Sequence, residues 1–156
     1  MEFCDLTLSL QKKNVLIMRL MRRKIDDFLK EWKENEDRLP LIVKGARQIG
    51  KTASIMQFAN DNYKNVVAIN FVLQQKFKSI FDDGYDVDSV VRNITLIDPS
   101  IELEPGNTIF FFDEMQDCPV CATSLKAFKI DGRYDVVCSG SLMGINYQEI
   151  ESNSVG

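Results

Sequence analysis

Apolar residues recur at Ile17, Met21, Ile25, Phe28, Leu29 and Trp32. Their spacing of three and four predicts one amphipathic helix over roughly residues 16–34. The polar stretch from Asn35 to Pro40 ends it. Leu41 to Lys44 then reads as a strand and Thr52 to about Phe58 as the next helix. VVAINF, Val66 to Phe71, is β-branched and apolar on both faces, as a strand covered on both sides of a parallel sheet must be. Helical stretches are predicted near 75–81 and 88–96, ahead of a Pro105-Gly106 turn. IFFF, Ile109 to Phe112, is a third buried strand. A helix from Pro119 to about Phe128 follows, and Tyr134 to Ser139 is a fourth strand. Strands alternating with helices at this spacing predict an α/β domain with a mainly parallel sheet.

Composition narrows the class. A chain of 156 residues, 45% hydrophobic and 27% charged, suits one globular domain with a real core. No apolar run approaches the roughly 18 residues of a membrane span. MEFCDL lacks the basic and apolar regions of a signal peptide, so a cytoplasmic location is expected. The net charge of -4 gives no general attraction to nucleic acid. The basic cluster Arg19, Arg22, Arg23 and Lys24 reads either as a phosphate contact or as a solvated helix face. There is no histidine, and Cys118 and Cys121 form a CxxC beside Cys4 and Cys138. That spacing allows half a zinc site or a redox pair. The alternative is two half-buried residues at a helix start, and with no second CxxC and no histidine to complete four ligands, no structural metal is expected.

The junction LIVKGARQIGKT carries the strongest chemistry. Gly45, Ala46, Arg47, Gln48, Ile49, Gly50, Lys51 and Thr52 fit G-x-x-x-x-G-K-[ST], the phosphate-binding loop (Walker A), between a strand and a helix as that reading requires. Glycines let backbone N–H groups curl around phosphate oxygens, and the helix that starts there adds its positive end. Lys51 supplies a mobile positive charge for the β- and γ-phosphates, and the Thr52 hydroxyl is placed to ligate Mg²⁺.

TIFFFDE adds a buried strand that delivers Asp113 and Glu114 at its C-terminal end, where ligands sit in open α/β sheets. Asp113 suits magnesium, mostly through its water shell (Walker B), and Glu114 suits activation of the attacking water. The alternative is a polar loop after a core strand. Gln116 and Asp117 are the next acids or amides within reach if Glu114 is not the base. At the end of the fourth strand, VVCSGS offers a hydroxyl to sense the γ-phosphate. Ser141 is favoured over Ser139, against the alternative of a Ser/Gly turn.

RRKIDDFLKEW, PLIVKGARQIGKT, NVVAINF, TIFFFDEMQDCP, SLKAF and CSGSLMG, in this order, resemble the prokaryotic AAA-type ATPases that join an N-terminal P-loop domain to a separate C-terminal domain. The resemblance covers about residues 18–156. It implies an α/β P-loop NTPase fold with a sheet of the additional-strand (AAA/RecA-like) type, flanked by helices. It assigns phosphate binding to Gly45 through Thr52, magnesium to Thr52 and Asp113, base catalysis to Glu114 and sensing to Ser141. ATP with Mg²⁺ is the implied ligand and ATP hydrolysis the implied reaction. A nucleotide-binding module without turnover is the rival, since such hydrolysis usually draws on a neighbouring subunit's arginine and a lid. A small-molecule kinase is disfavoured by Glu114.

Two departures bear on the domain reading. Residues 1–17 precede the family's usual start, near Met18 or Met21, and read as an N-terminal extension. Related chains continue past a segment resembling SNSVG into a further strand and a second domain, whereas this chain ends at Gly156. The expectation is a domain over 18–156 that lacks its last strand. Its strand 41–44 would then be a sheet edge that favours self-association, unless Asp5 to Leu10 folds back over it.

Overall fold

The structure, a computed structural model, describes residues 11–13, 16, 24–45 and 50–141. The loop residues Ala46 to Ile49, the basic residues Arg19, Arg22 and Arg23, the Asp5–Leu10 segment and residues 142–156 lie outside the described residues.

Residues 24–34 form helix α1. There follow β1 (Leu41–Gly45), α2 (Lys51–Asn62), β2 (Asn65–Asn70), a 3₁₀ stretch (Gln75–Phe81), α3 (Val87–Ile97), β3 (Thr108–Asp113), a short 3₁₀ turn (Met115–Asp117), α4 (Val120–Asp131) and β4 (Asp135–Ser141). Each predicted element is present among the described residues, the first helix over 24–34 of its expected 16–34, and the ends of the others shift by a few residues. The stretch at 75–81 is 3₁₀ throughout; three residues per turn bring Phe77 and Ile80 onto one line, and both are buried. Two ends have clear local causes. Asp86 caps α3, its carboxylate accepting from the Ser89 N–H at 2.9 Å. Gly132, at φ 72°, closes α4 in the left-handed conformation that glycine adopts without strain.

The four strands are parallel in the order β1-β4-β3-β2, so β4 is inserted between the strand that ends in Gly45 and the strand that ends in Asp113. This is the additional-strand arrangement. Among the described residues, β1 pairs with β4 alone.

All six residues of β3 are buried. Successive side chains point to opposite faces, so the apolar run divides between two cores. Phe110 and Phe112 join Ile69, Phe71, Phe77, Phe81 and Phe128 under α3 and α4. Ile109 and Phe111 join Leu29, Ile55, Phe58 and Val137 under α1 and α2. Rings at 5.7 Å (Phe71 and Phe112) and 5.3 Å (Phe110 and Phe128) fill the first of these. At the N-terminal end of β4, Arg38 grips Asp135 through two nitrogens at 2.9 and 2.8 Å, and the Tyr63 hydroxyl donates to the same carboxylate. That cluster ties the turn after α1 to the sheet, at the end opposite Gly45 and Asp113.

Cys118, Cys121 and Cys138 are buried and free, packed in the core beneath α4. Burial pushes the thiols of Cys118 and Cys121 above their usual range, with the neighbouring Cys138 adding to the effect on Cys121.

Candidate active site at the C-terminal edge of the sheet

Parallel strands bring their C-terminal ends to one edge, and three candidate elements meet there. Gly50 stands at φ 81°, a conformation that side chains rarely adopt, and from it the chain enters α2 with no side chain capping the helix. The first-turn N–H groups of α2 and its positive end are therefore available to an anion. Lys51, 8% exposed, turns back from this first turn. Its ammonium donates to the carbonyls of Gly45 at 2.8 Å and Gly140 at 3.0 Å. A buried charge needs such partners. Burial still draws its pKa below the ordinary lysine value, opposed by the carboxylates of Glu114 and Asp113.

Asp113, 7% exposed, is the hub of the site. Its Oδ2 accepts from the Thr52 hydroxyl at 3.2 Å and from the Asn70 amide at 3.1 Å. Its Oδ1 accepts from the Glu114 N–H at 3.0 Å and from the Ser139 hydroxyl. The sheet register explains this convergence. Asn70 is the parallel partner of Asp113, and β4 lies on the other side of β3 with Cys138 beside Phe112, one residue short of the Ser139–Asp113 contact.

Glu114 follows at φ 56°, ψ 48°, and is the one non-glycine residue with positive φ among the described residues. The left-handed conformation costs an ordinary residue roughly 1–2 kcal/mol. Such strain persists where the surroundings over-determine it, and it concentrates at functional sites. Here it turns the chain sharply out of β3 and separates the direction of Glu114 from that of Asp113. The Glu114 carboxylate accepts from the Gln116 side-chain amide, whose oxygen accepts from the Ser141 N–H at 3.3 Å.

The structure thus assembles Gly45, Gly50, Lys51, Thr52, Asp113, Glu114 and the end of β4 at one edge, while Ala46, Arg47, Gln48 and Ile49 lie outside the described residues. At the end of β4 the two serines occupy different places. Ser139 is 2% exposed and bonded to Asp113. Ser141 pairs in register with Gly45, the first residue of the loop, and enters the network through its backbone N–H. Asn70 is a site residue that the sequence does not single out. A polar residue ending an otherwise apolar strand was the available signal, but its partner is set only by strand pairing.

The donor set fits a small hard cation. Thr52 Oγ1 and Asp113 Oδ2 are oxygens 3.2 Å apart beside the lysine and the helix start, which suits Mg²⁺ with retained water. Among the described residues no cluster of three or more His, Cys, Asp or Glu forms a metal cage, and no helix is long and apolar enough to cross a membrane.

No curated protein matches the chain. Among solved structures, that of C. elegans PCH-2 is similar over 88% of this chain at 14% identity and a TM-score of 0.48. This chain spans 40% of the length of that one. The family model described as "AAA domain" matches residues 37–156. An α/β core with a parallel sheet of additional-strand order, and a family match over most of its length, make this chain a member of the AAA domain family, a nucleotide-binding ATPase-like core.

Proposed function

We propose that the chain binds ATP or ADP with Mg²⁺ at the C-terminal edge of its sheet and hydrolyses ATP there. The observation that carries this reading is the contact between Thr52 Oγ1 and Asp113 Oδ2 at 3.2 Å, which joins two motifs 61 residues apart beside Lys51.

Each residue has a role its position supports. Gly45, Gly50 and the first turn of α2 present N–H donors to the phosphates, and the loop motif assigns Ala46, Arg47, Gln48 and Ile49 to the same task. Lys51 exchanges the Gly45 and Gly140 carbonyls for phosphate oxygens, a favourable exchange because a charged acceptor makes a stronger hydrogen bond than a neutral one. Thr52 and Asp113 hold Mg²⁺, which when bound offsets charge on the phosphate oxygens. Ser139 and Asn70 keep the Asp113 carboxylate oriented toward Thr52. Glu114 takes a proton from the attacking water. The Ser141 hydroxyl, opposite Gly45 in the sheet, senses the γ-phosphate.

Calorimetry with ATP and ADP, with and without Mg²⁺, tests the binding. The expected result is Mg²⁺-enhanced affinity that Thr52→Ala reduces and Lys51→Ala abolishes, with folding confirmed by circular dichroism. Equal affinity in wild type and Lys51→Ala would overturn the site. Glu114→Gln should retain binding and lose about 10² to 10⁴ in hydrolysis rate. Phosphate release by the wild type decides between an ATPase and a nucleotide-binding module.

A further inference from the structure

Gln116 is the one described side chain that joins the Glu114 carboxylate to the end of β4. Its amide nitrogen donates to Glu114 Oε2, and its amide oxygen accepts from the Ser141 N–H at 3.3 Å. A primary amide is suited to this double task because it carries a donor and an acceptor on one small planar group. A glutamate here has no donor at neutral pH, and a lysine has no acceptor.

The backbone beneath Gln116 is held from both sides. Met115 is 2% exposed, in the same core as Phe112 and Cys121. The turn is closed by Asp117 N–H donating to the Glu114 carbonyl at 3.1 Å and Cys118 N–H donating to that of Met115 at 3.0 Å. With its Cα so fixed, Gln116 sets where the Glu114 carboxylate stands relative to β4. The other end of the link matters as much. Ser141 follows Gly140, whose carbonyl accepts from Lys51 at 3.0 Å. The lysine that meets phosphate and the glutamate that meets water are therefore referred to the same two residues of β4.

We infer that Gln116 is a positioning residue for ATP hydrolysis, holding the Glu114 carboxylate in register with the Gly140–Ser141 end of β4 that Lys51 also grips. This rests on the reading of Glu114 as the base. It explains why Glu114 occupies a strained backbone conformation: φ 56° followed by a closed turn places residue 116 within reach of both Glu114 and Ser141. Among the described residues Gln116 makes no hydrogen bond to Lys51, Thr52 or Asp113, so its removal should disturb the base without disturbing nucleotide binding.

The test uses the full chain with Gln116→Ala, Gln116→Glu, Glu114→Gln and the double variant Glu114→Gln/Gln116→Ala. A misplacement of about 1 Å can cost about a hundredfold in rate. Gln116→Ala and Gln116→Glu should each lower kcat by between about tenfold and about a hundredfold, while KM for ATP and the affinity for a fluorescent ADP stay at wild-type values. The double variant should be no slower than Glu114→Gln alone, because a misplaced base and an absent base are not additive losses. A second readout needs no turnover: in chain labelled with ¹⁵N-glutamine, Glu114→Ala should shift the Gln116 side-chain amide resonances. Unchanged or raised kcat in Gln116→Ala, an equal loss in nucleotide affinity, additivity in the double variant, or unmoved amide resonances would each overturn the inference. Full turnover in Glu114→Gln would instead overturn the base reading itself, and the positioning role with it. In protein without measurable turnover the amide resonances decide the contact.

Discussion

Ser139 and Ser141 lie two residues apart on one strand, and the structure separates their consequences. Ser139→Ala removes the hydroxyl that donates to Asp113 Oδ1 in a position 2% exposed. A hydrogen bond to a charged group contributes about 1.5–3 kcal/mol to stability. Asp113 retains three other donors, Glu114 N–H at 3.0 Å, Asn70 at 3.1 Å and Thr52 at 3.2 Å, so the loss falls at the low end, about 1.5 kcal/mol. With a urea slope of about 2 kcal/mol/M, the unfolding midpoint should fall by about 0.7 M. The single tryptophan is a suitable reporter, since Trp32 packs edge-on against Phe58 at 6.2 Å and donates to the Leu39 carbonyl at 2.7 Å. Ser141→Ala leaves its backbone N–H, and with it the Gln116 contact, in place. Its midpoint should stay within about 0.25 M of wild type, the range of substitutions that remove no buried contact. Ligand binding should divide the same way. Without Ser139 the Asp113 carboxylate is less firmly directed at Thr52. The gain in nucleotide affinity on adding Mg²⁺ should shrink about fivefold, an orientation term of about 1 kcal/mol, while affinity in EDTA is unchanged. Ser141→Ala should keep the Mg²⁺ dependence and alter the ratio of ATP to ADP affinity. Equal destabilisation by the two substitutions, or loss of Mg²⁺ dependence in Ser141→Ala alone, would refute this division of roles.

Three further outcomes are expected. Arg38→Ala breaks a two-point ion pair whose side chains are 26% and 18% exposed, between the surface and buried regimes; thermal or urea unfolding should register about 1–2 kcal/mol, and nucleotide affinity should not change because the pair lies at the opposite end of the sheet. Phe112→Ala empties a site shared by Phe71, Phe81, Phe110 and Phe128; a loss of about 3–5 kcal/mol, a large share of a domain's total stability, should appear in urea unfolding or as insoluble protein. Cys118, Cys121 and Cys138 should resist a thiol reagent at pH 8 in the native chain and react once it is unfolded, because burial holds Cys118 and Cys121 in the thiol form and excludes the reagent from all three. Rapid native labelling of any of the three would contradict their burial.

The element order and the parallel sheet were legible in the sequence, since both depend on short-range pattern. Hydrophobic periodicity reports which faces are buried, so IFFF already announced a strand covered on both sides. The positive φ of Gly50 at the start of α2 was signalled by the glycine itself. The run Asp113-Glu114 likewise announced carboxylates at a strand end. What joins these pieces is a matter of strand order and register, which local pattern does not encode. Insertion of β4 between β1 and β3 brings Ser139 onto Asp113, though it lies 26 residues further along the chain, and parallel pairing of β2 with β3 brings Asn70 there as well. A side chain's alternation along its own strand says which face it shares; only the neighbouring strand's register says what it meets. That is why the resemblance could point to Ser141 as the sensor while the Asp113 contact of Ser139 emerged only in three dimensions. The strained turn at Glu114 belongs to the same category. No residue near it requires positive φ as a glycine would allow, and the conformation is held by Met115 in the core and by Gln116 reaching β4, long-range contacts that outweigh a local preference.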